Sequence, residues 1–560
     1  MKSSKLIASA VGAALVLGSG AAFAYIPTSN TDADITLHWG GATASSLSAM
    51  ELTVNAICTS NTDILYVNTS ATNGAPLNDW AVACQTDSTK IAGITGSPRV
   101  LIVKRDRGGS GVGVGPVQTK AADSGAQISF LNLSGNCTTV IPPTLPGAPN
   151  IQAPGQPPGT LVPLRGCTAA YTFTAYTEMG TSDIEPDKFF GINTPIVDSV
   201  ALPFRTEADR NFAEKASLAA LMFNTPVTLA LRNALQGLQF PAGSVCNPSN
   251  PAYSSLTAST TDRADTTNAE SEACMPSLSR AEINSLLTGK ILTWELLDPG
   301  LPAQDVIVCR RVDGSGTQAT INALISSWPC DPNQKDNSID INLPLTPDGT
   351  YVIGNSGSGD VSNCLNTRSA GYAIGVLSVE GRNNGNNLGY RYIKVDGVAP
   401  TLNNAHNGDY WFWAQQSCQR RNAALPYNVD AGRPNDTIAN KDRLFDALCG
   451  PTATRGLNSL DTLTKLNNPL NGGATCGTTG TVTANTCNSF YTWGQSGWLA
   501  TPTNSIVFDQ VLNSLTRPVN AYTREVAIGA PNICTTPVKS DVGSNSLVPG
   551  DVTPNPNWTP

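Results

Sequence analysis

The chain repeats one pattern three times: a short apolar run, a turn of small residues, then apolar positions at helical spacing. The sharpest copy begins at Val306-Ile-Val308, a β-branched run suited to a buried strand. It stops at Arg310-Arg311, turns through Asp313-Gly314-Ser315-Gly316, and continues as Thr317-Gln-Ala-Thr-Ile-Asn-Ala-Leu-Ile325. That last run puts Ile321, Leu324 and Ile325 on one helical face. A second copy alternates as a strand over Asp34-Ile-Thr-Leu-His-Trp39, passes Gly40-Gly-Ala-Thr-Ala-Ser-Ser46, and predicts a helix through Leu47, Met50, Leu52 and Ile57. The third runs from Val100-Leu-Ile-Val103 into Lys104-Arg-Asp-Arg-Gly-Gly-Ser-Gly-Val-Gly-Val-Gly115, whose glycines let a ligand approach the backbone closely.

Elsewhere the pattern predicts a crossing strand over Leu218–Asn224 and a helix reached through Pro226. A helix over Ser279–Leu287 and strands near 350–380 follow. Asp409-Tyr-Trp-Phe-Trp413 reads as a strand with aromatic packing, and Asp442–Leu448 as a helix. The proline-rich tract from Ile141 to Gly159, bracketed by Cys137 and Cys167, reads as an insertion. The tail from Val548, with several prolines, reads as disordered.

The first residues change the setting. Lys2 and Lys5, an apolar stretch from Leu6 to Leu17, and Ala22-Phe-Ala24 form an export signal, with cleavage expected near Ala24/Tyr25. The apolar stretch is too short to span a bilayer. All 14 cysteines lie beyond it, an even number without a C-x-x-C pair, so disulfides are expected. Neighbours such as Cys58/Cys84, Cys137/Cys167, Cys246/Cys274 and Cys476/Cys487 are candidate pairs, although connectivity does not follow from spacing. With two histidines, His38 and His406, a His-built metal site is not expected. A net charge of −8 argues against nucleic-acid binding. It does not argue against an anion ligand, because selectivity comes from local donors.

Chemically, a strand, a Gly/Ser turn and a helix start make an anion site, since first-turn amides lack intrahelical acceptors and the macrodipole is positive there. Two arginines at the strand end add fork-shaped donors suited to tetrahedral oxyanions. Asp-Gly-Ser-Gly-Thr alone is equally an ordinary capped helix; the arginines favour the anion site. No G-x-S-x-G elbow surrounds Ser110, Ser315 or Ser496, which disfavours a serine hydrolase. The glycines after Val103 match neither G-x-G-x-x-G nor a P-loop. Asp331–Asp340 lacks EF-hand spacing.

Arg311-Val-Asp-Gly-Ser-Gly-Thr317 resembles the signature of periplasmic phosphate-binding proteins, the receptors of phosphate ABC importers. Leu286-Leu-Thr-Gly-Lys-Ile-Leu-Thr-Trp294, Gly371-Tyr-Ala-Ile-Gly375 and Val395-Asp-Gly-Val-Ala-Pro400 resemble further landmarks of that family, in the same order. Gly180-Thr-Ser-Asp-Ile-Glu-Pro186 resembles its loop whose Asp accepts a hydrogen bond from the proton on phosphate. The resemblance implies an α/β, two-lobed (type 2) periplasmic-binding-protein fold with two crossover strands, here disulfide-rich with long loop insertions. It implies a ligand site of Thr43, Ala44, Ser110, Asp183, Arg311, Ser315, Gly316 and Thr317.

The expected division is a signal peptide over 1–24, lobe one over 25–215 with the insertion near 138–166, lobe two over 216–385, and a return to lobe one with a C-terminal extension over 386–560. The expected role is a non-enzymatic, periplasmic or secreted monomer without cofactor or membrane span. It would capture inorganic phosphate or a related oxyanion and serve an ABC permease. The alternative is a secreted or cell-surface adhesion or structural protein on the same fold.

Overall fold

The computed structural model describes residues 27–59, 64–68, 79–134, most of 137–167, 173–202, 212–253, 271–331, 351–379, 389–449, 497–501, 519–527 and 530–539. The signal, the Cys476/Cys487 pair, the proline-containing tail and most of Asp331–Asp340 lie outside them.

Two sheets organise these residues. The larger begins with β1 (Ile35–Gly41), β2 (Ile64–Asn68), β3 (Asp79–Gln85) and β4 (Arg99–Arg105). It continues with β5 (Thr139–Ile141), β6 (Leu164–Cys167), β7 (Met179–Ser182) and β8 (Phe212–Asn224). The smaller sheet takes β9 (Val227–Thr228), β10 (Ile307–Arg311), β11 (Tyr351–Asn355), β12 (Ala373–Gly375) and, past β13 (Leu377–Ser378), β14 (Tyr390–Arg391). With β15 (Trp413–Arg421), the larger sheet runs β13-β8-β15-β7-β1-β4-β3-β2-β6-β5, and β16 (Trp498–Leu499) pairs with β8. The smaller runs β11-β10-β12-β9-β14.

β1 is buried along its whole length, so its polar Thr36 and His38 are covered as fully as its apolar Ile35, Leu37 and Trp39. One cover is α7 (Ile438–Cys449), which meets β1 and packs beside α1 (Ser46–Ile57). The other is α2 (Ser110–Val114), laid on β1 and β7. The glycine-rich run after β4 is therefore not a ligand-facing loop throughout. A Cβ on Gly180 would stand 2.6 Å from the carbonyl carbon of Gly113, so glycine is what lets helix and strand touch.

β15 corrects the strand expected over Asp409–Trp413. The aromatics before it, Tyr410 and Phe412, are core residues on the approach. The strand itself is the polar run Trp-Ala-Gln-Gln-Ser-Cys-Gln-Arg-Arg, antiparallel to both β8 and β7. Polar side chains along it are hydrogen-bonded, as in Gln419 Nε2 donating to Ser417 Oγ at 2.6 Å, although Gln416 Oε1 and Gln419 Oε1 find no partner among the described residues. Arg421 similarly donates to the carbonyls of Pro116 and Thr119.

The chain leaves the larger sheet after Asn224, through Pro226, passes α3 (Leu229–Gln239) and α4 (Arg280–Leu287), and regains it between Gly375 and Leu377. The two crossings lie side by side, with the Gly375 N–H donating to Pro226 C=O at 2.8 Å.

Six disulfides are present among the described residues. Cys58–Cys84, Cys137–Cys167 and Cys246–Cys274 are the neighbouring pairs foreseen. Cys309–Cys364, Cys330–Cys534 and Cys418–Cys449 join residues that only packing brings together. Glu178 accepts from His38 N at 3.0 Å, Asn428 N at 3.1 Å and Lys441 Nζ at 2.7 Å, tying β1 and the strand start at β7 to α7.

Candidate functional site

Register places the site. β1 and β4 align Trp39 with Lys104 and Gly40 with Arg105, while β1 and β7 align Gly40 with Gly180 and Gly41 with Thr181. The loops after these three parallel strands therefore leave one edge side by side, carrying Thr43, Ser110 and Asp183. In the smaller sheet β10 and β11 align Arg311 with Asn355, so the turns before α5 (Gly316–Leu324) and α6 (Ser358–Asn366) also adjoin. Ligands of open α/β sheets sit at such carboxyl edges.

The two edges meet. Gly111 N–H donates to Gly314 C=O at 2.7 Å from one sheet's loops to the other's. The Asp183 N–H donates to Ser110 Oγ at 3.0 Å, and the Thr317 hydroxyl donates to Asp183 Oδ2 at 3.2 Å. Gly316 fits against both: a Cβ there would stand 2.7 Å from Ser110 Cβ and 2.8 Å from Asp183 Cβ. Arg311 is within the same cluster, since a Cβ on Gly109 would lie 3.1 Å from its Nη2 and 2.9 Å from Ser315 Cα. Its guanidinium donates to the carbonyls of Asn355 (3.2 Å) and Ser356 (2.8 Å) and to Ser358 Oγ (3.2 Å). The Ser358 hydroxyl donates onward to Thr43 Oγ1 at 3.4 Å.

Ser315 serves first as the cap of α5, its oxygen accepting from Gln318 N at 3.3 Å, which still leaves its hydroxyl proton to donate. Ala44 is buried at the margin, its carbonyl accepting from Ser378 Oγ at 3.2 Å. Seven of the eight residues thus converge, and Ala44 lines the edge.

Two residues of the cluster carry no motif. Gln416, on β15, donates from Nε2 to Asp183 Oδ1 at 2.6 Å. Ser358 opens α6 after β11, and the run Tyr351-Val-Ile-Gly-Asn-Ser-Gly-Ser358 is a fourth strand–small-turn–helix, so the same pattern could have found it. Nothing around Gln416 in sequence signals a site.

The electrostatics follow from burial. Burial pushes the Asp183 carboxyl above the usual range, and the opposing pull of Arg311, Thr317, Ser110 and Gln416 does not cancel it. Burial lowers the Arg311 guanidinium to about 10 despite support from Asp183 and Asp360, so it remains a cation at neutral pH. The result is one buried cation, several hydroxyl and amide donors, and one carboxyl that takes up a proton readily. Among the described residues no group of three or more His, Cys, Asp or Glu side chains is arranged to hold a metal ion.

Solved phosphate receptors match this chain. A phosphate ABC transporter substrate-binding protein of Clostridium perfringens, with bound phosphate, matches at 13% identity and TM-score 0.35, over 77% of this chain and 97% of its own. An ABC-type phosphate transport receptor of Vibrio cholerae matches at 13% and 0.24, over 48% and 73%. A phosphate-binding protein of Stenotrophomonas maltophilia matches at 14% and 0.25, over 52% and 85%. No family model and no curated protein matches. The matched structures belong to the family that the sequence motifs resemble.

Proposed function

We propose that this chain is an exported, non-enzymatic solute-binding protein that captures phosphate, or a related tetrahedral oxyanion, between the loops of its two sheets. The observation that carries this is the buried meeting of Arg311 with Ser110, Asp183 and Thr317, contributed by three separate segments. Three of the five guanidinium N–H groups are engaged by protein oxygens, leaving one on each Nη for an anion. Thr43, Ser110, Ser315 and the Gly316 and Thr317 amides supply further donors, with Ala44 at the margin.

Asp183 supplies the selectivity. Each of its oxygens already accepts one hydrogen bond and has a lone pair remaining. Phosphate near neutral pH brings an O–H to it. Sulfate brings only lone pairs and like charge, at a cost of about 1–3 kcal/mol or more. Six disulfides support an oxidising, periplasmic or secreted location. Among the described residues no helix is long and apolar enough to cross a membrane. Delivery to an ABC permease is part of the same reading.

Calorimetry with phosphate and sulfate tests it. Wild type is expected to bind phosphate with submicromolar Kd and to ignore sulfate at pH 7, and Asp183→Asn to lose or relax that preference. Because the Asp183 pKa is raised, acidification protonates it early and gives sulfate a donor, so discrimination should narrow as pH falls. A wild type that binds neither anion would overturn phosphate capture and favour the adhesion or structural alternative.

A further inference from the structure

We propose that Lys104 is a positioning residue for the anion site, turning the Ala42–Thr43 peptide from below so that the Thr43 N–H faces the anion. This rests on the phosphate-capture reading. Lys104 is the penultimate residue of β4 and fully buried. Register sets it beside Trp39, and its ammonium lies 5.1 Å from the ring centroid of Trp39 and 5.7 Å from that of Trp80. It donates to the carbonyls of Gly41 at 2.9 Å and Ala42 at 3.3 Å, both in the first loop. It is also paired with the carboxylate of Asp106.

Asp106 opens the second loop and accepts from Ser46 Oγ at 2.5 Å and Trp80 Nε1 at 2.8 Å. One buried ion pair thus joins the loop bearing Thr43 to the loop bearing Ser110. Such a pair is a weak source of stability, because desolvation offsets its attraction and apolar residues of similar volume often do as well. What an apolar residue could not do is hold two successive carbonyls of one loop.

In a trans peptide the C=O and N–H point in opposite directions. The Gly41 carbonyl faces Lys104, and the amide of the same peptide, on Ala42, donates to Thr181 C=O at 3.1 Å. The Ala42 carbonyl also faces Lys104, so the Thr43 N–H points away from it, and no acceptor for that N–H is found among the described residues. The Thr43 hydroxyl meets Ser358, which Arg311 holds. Lys104 therefore acts through the loop and does not touch the anion.

The test uses the full mature chain with Lys104→Met, Asp106→Asn and the two combined, read by phosphate calorimetry and thermal unfolding. Lys104→Met alone strands a buried carboxylate and is expected to lower Tm. The combined variant removes both charges, so it should recover Tm yet bind phosphate at least 10-fold more weakly. A purely structural pair would move Tm and leave the Kd of folded protein unchanged, and that result would overturn the inference. Should no variant fold, amide exchange on wild type decides. The Thr43 N–H should exchange readily in free protein and be protected by phosphate, and absence of that protection rejects the role. Wild type that binds no phosphate removes both the function and this role, whereas equal binding by wild type and the folded combined variant removes only the latter.

Discussion

Gly316→Ala separates stability from closure. Gly316 is the first residue of α5 and has no left-handed φ, so alanine there should stabilise the helix by up to about 1 kcal/mol. The same methyl would stand 2.7 Å from Ser110 Cβ and 2.8 Å from Asp183 Cβ, which belong to the larger sheet's loops. Turning the Ser110 hydroxyl aside relieves neither contact. Carbon atoms rest at about 3.5 Å, so the two edges must part by roughly 0.7 Å. Applied to the Thr317–Asp183 bond of 3.2 Å, that shift breaks it, and it stretches Gly111–Gly314 from 2.7 Å toward the limit. Losing the hydrogen bond to the Asp183 carboxylate and weakening one charge-assisted bond to the anion costs about 3 kcal/mol, on the order of 100-fold in Kd. Calorimetry with phosphate and differential scanning calorimetry on the same samples read both quantities. Gly243→Ala, where a Cβ meets nothing within 4 Å, is the control and should change neither. Phosphate binding by Gly316→Ala within threefold of wild type would refute the claim that this closed contact is the binding geometry.

Two further outcomes follow from the buried charges and the cross-links. Burial alone would raise the Glu178 carboxyl, but Lys441 and His38 hold it down at about 2. A carboxylate depressed in the folded state stabilises above its unfolded pKa, so roughly 3 kcal/mol present at neutral pH should be lost as pH falls from about 4.5 toward 2. Thermal unfolding against pH checks this: Lys441→Met should flatten that acid slope while destabilising the protein at pH 7, and a wild-type Tm that is level from pH 5 to 3 would contradict it. Cys330–Cys534 spans 204 residues and fastens the turn after α5 to a segment whose Arg524 donates to the carbonyls of Trp411 and Trp413. Cys330→Ser/Cys534→Ser should lower the unfolding free energy by at most about 5 kcal/mol, and Tm with it, while phosphate affinity in the folded protein holds within a few fold; an unchanged Tm would show that the link adds nothing.

The local pattern of the chain determined the three strand–turn–helix units, because strand and helix periodicities and the residues a tight turn tolerates are properties of neighbouring residues. Arg311, Ser315 and Thr317 were legible for that reason, as were three disulfides between cysteines near in sequence. Ser358 lies within reach of the same pattern.

Only the tertiary structure decided what no short window contains. Gln416 reached Asp183 because β15, a polar strand that hydrophobicity disguises, was inserted between β7 and β8. Gly113, in the run after β4, met the backbone of Gly40 and Thr181, a contact set by how α2 lies on β1 and β7. Lys104 gained its place under the first loop through the register of β1 with β4, which pairs residues 65 apart. Periodicity acts over one turn or one pleat, whereas the convergence of an anion site is settled by strand order and register, which the chain acquires only once its core is packed.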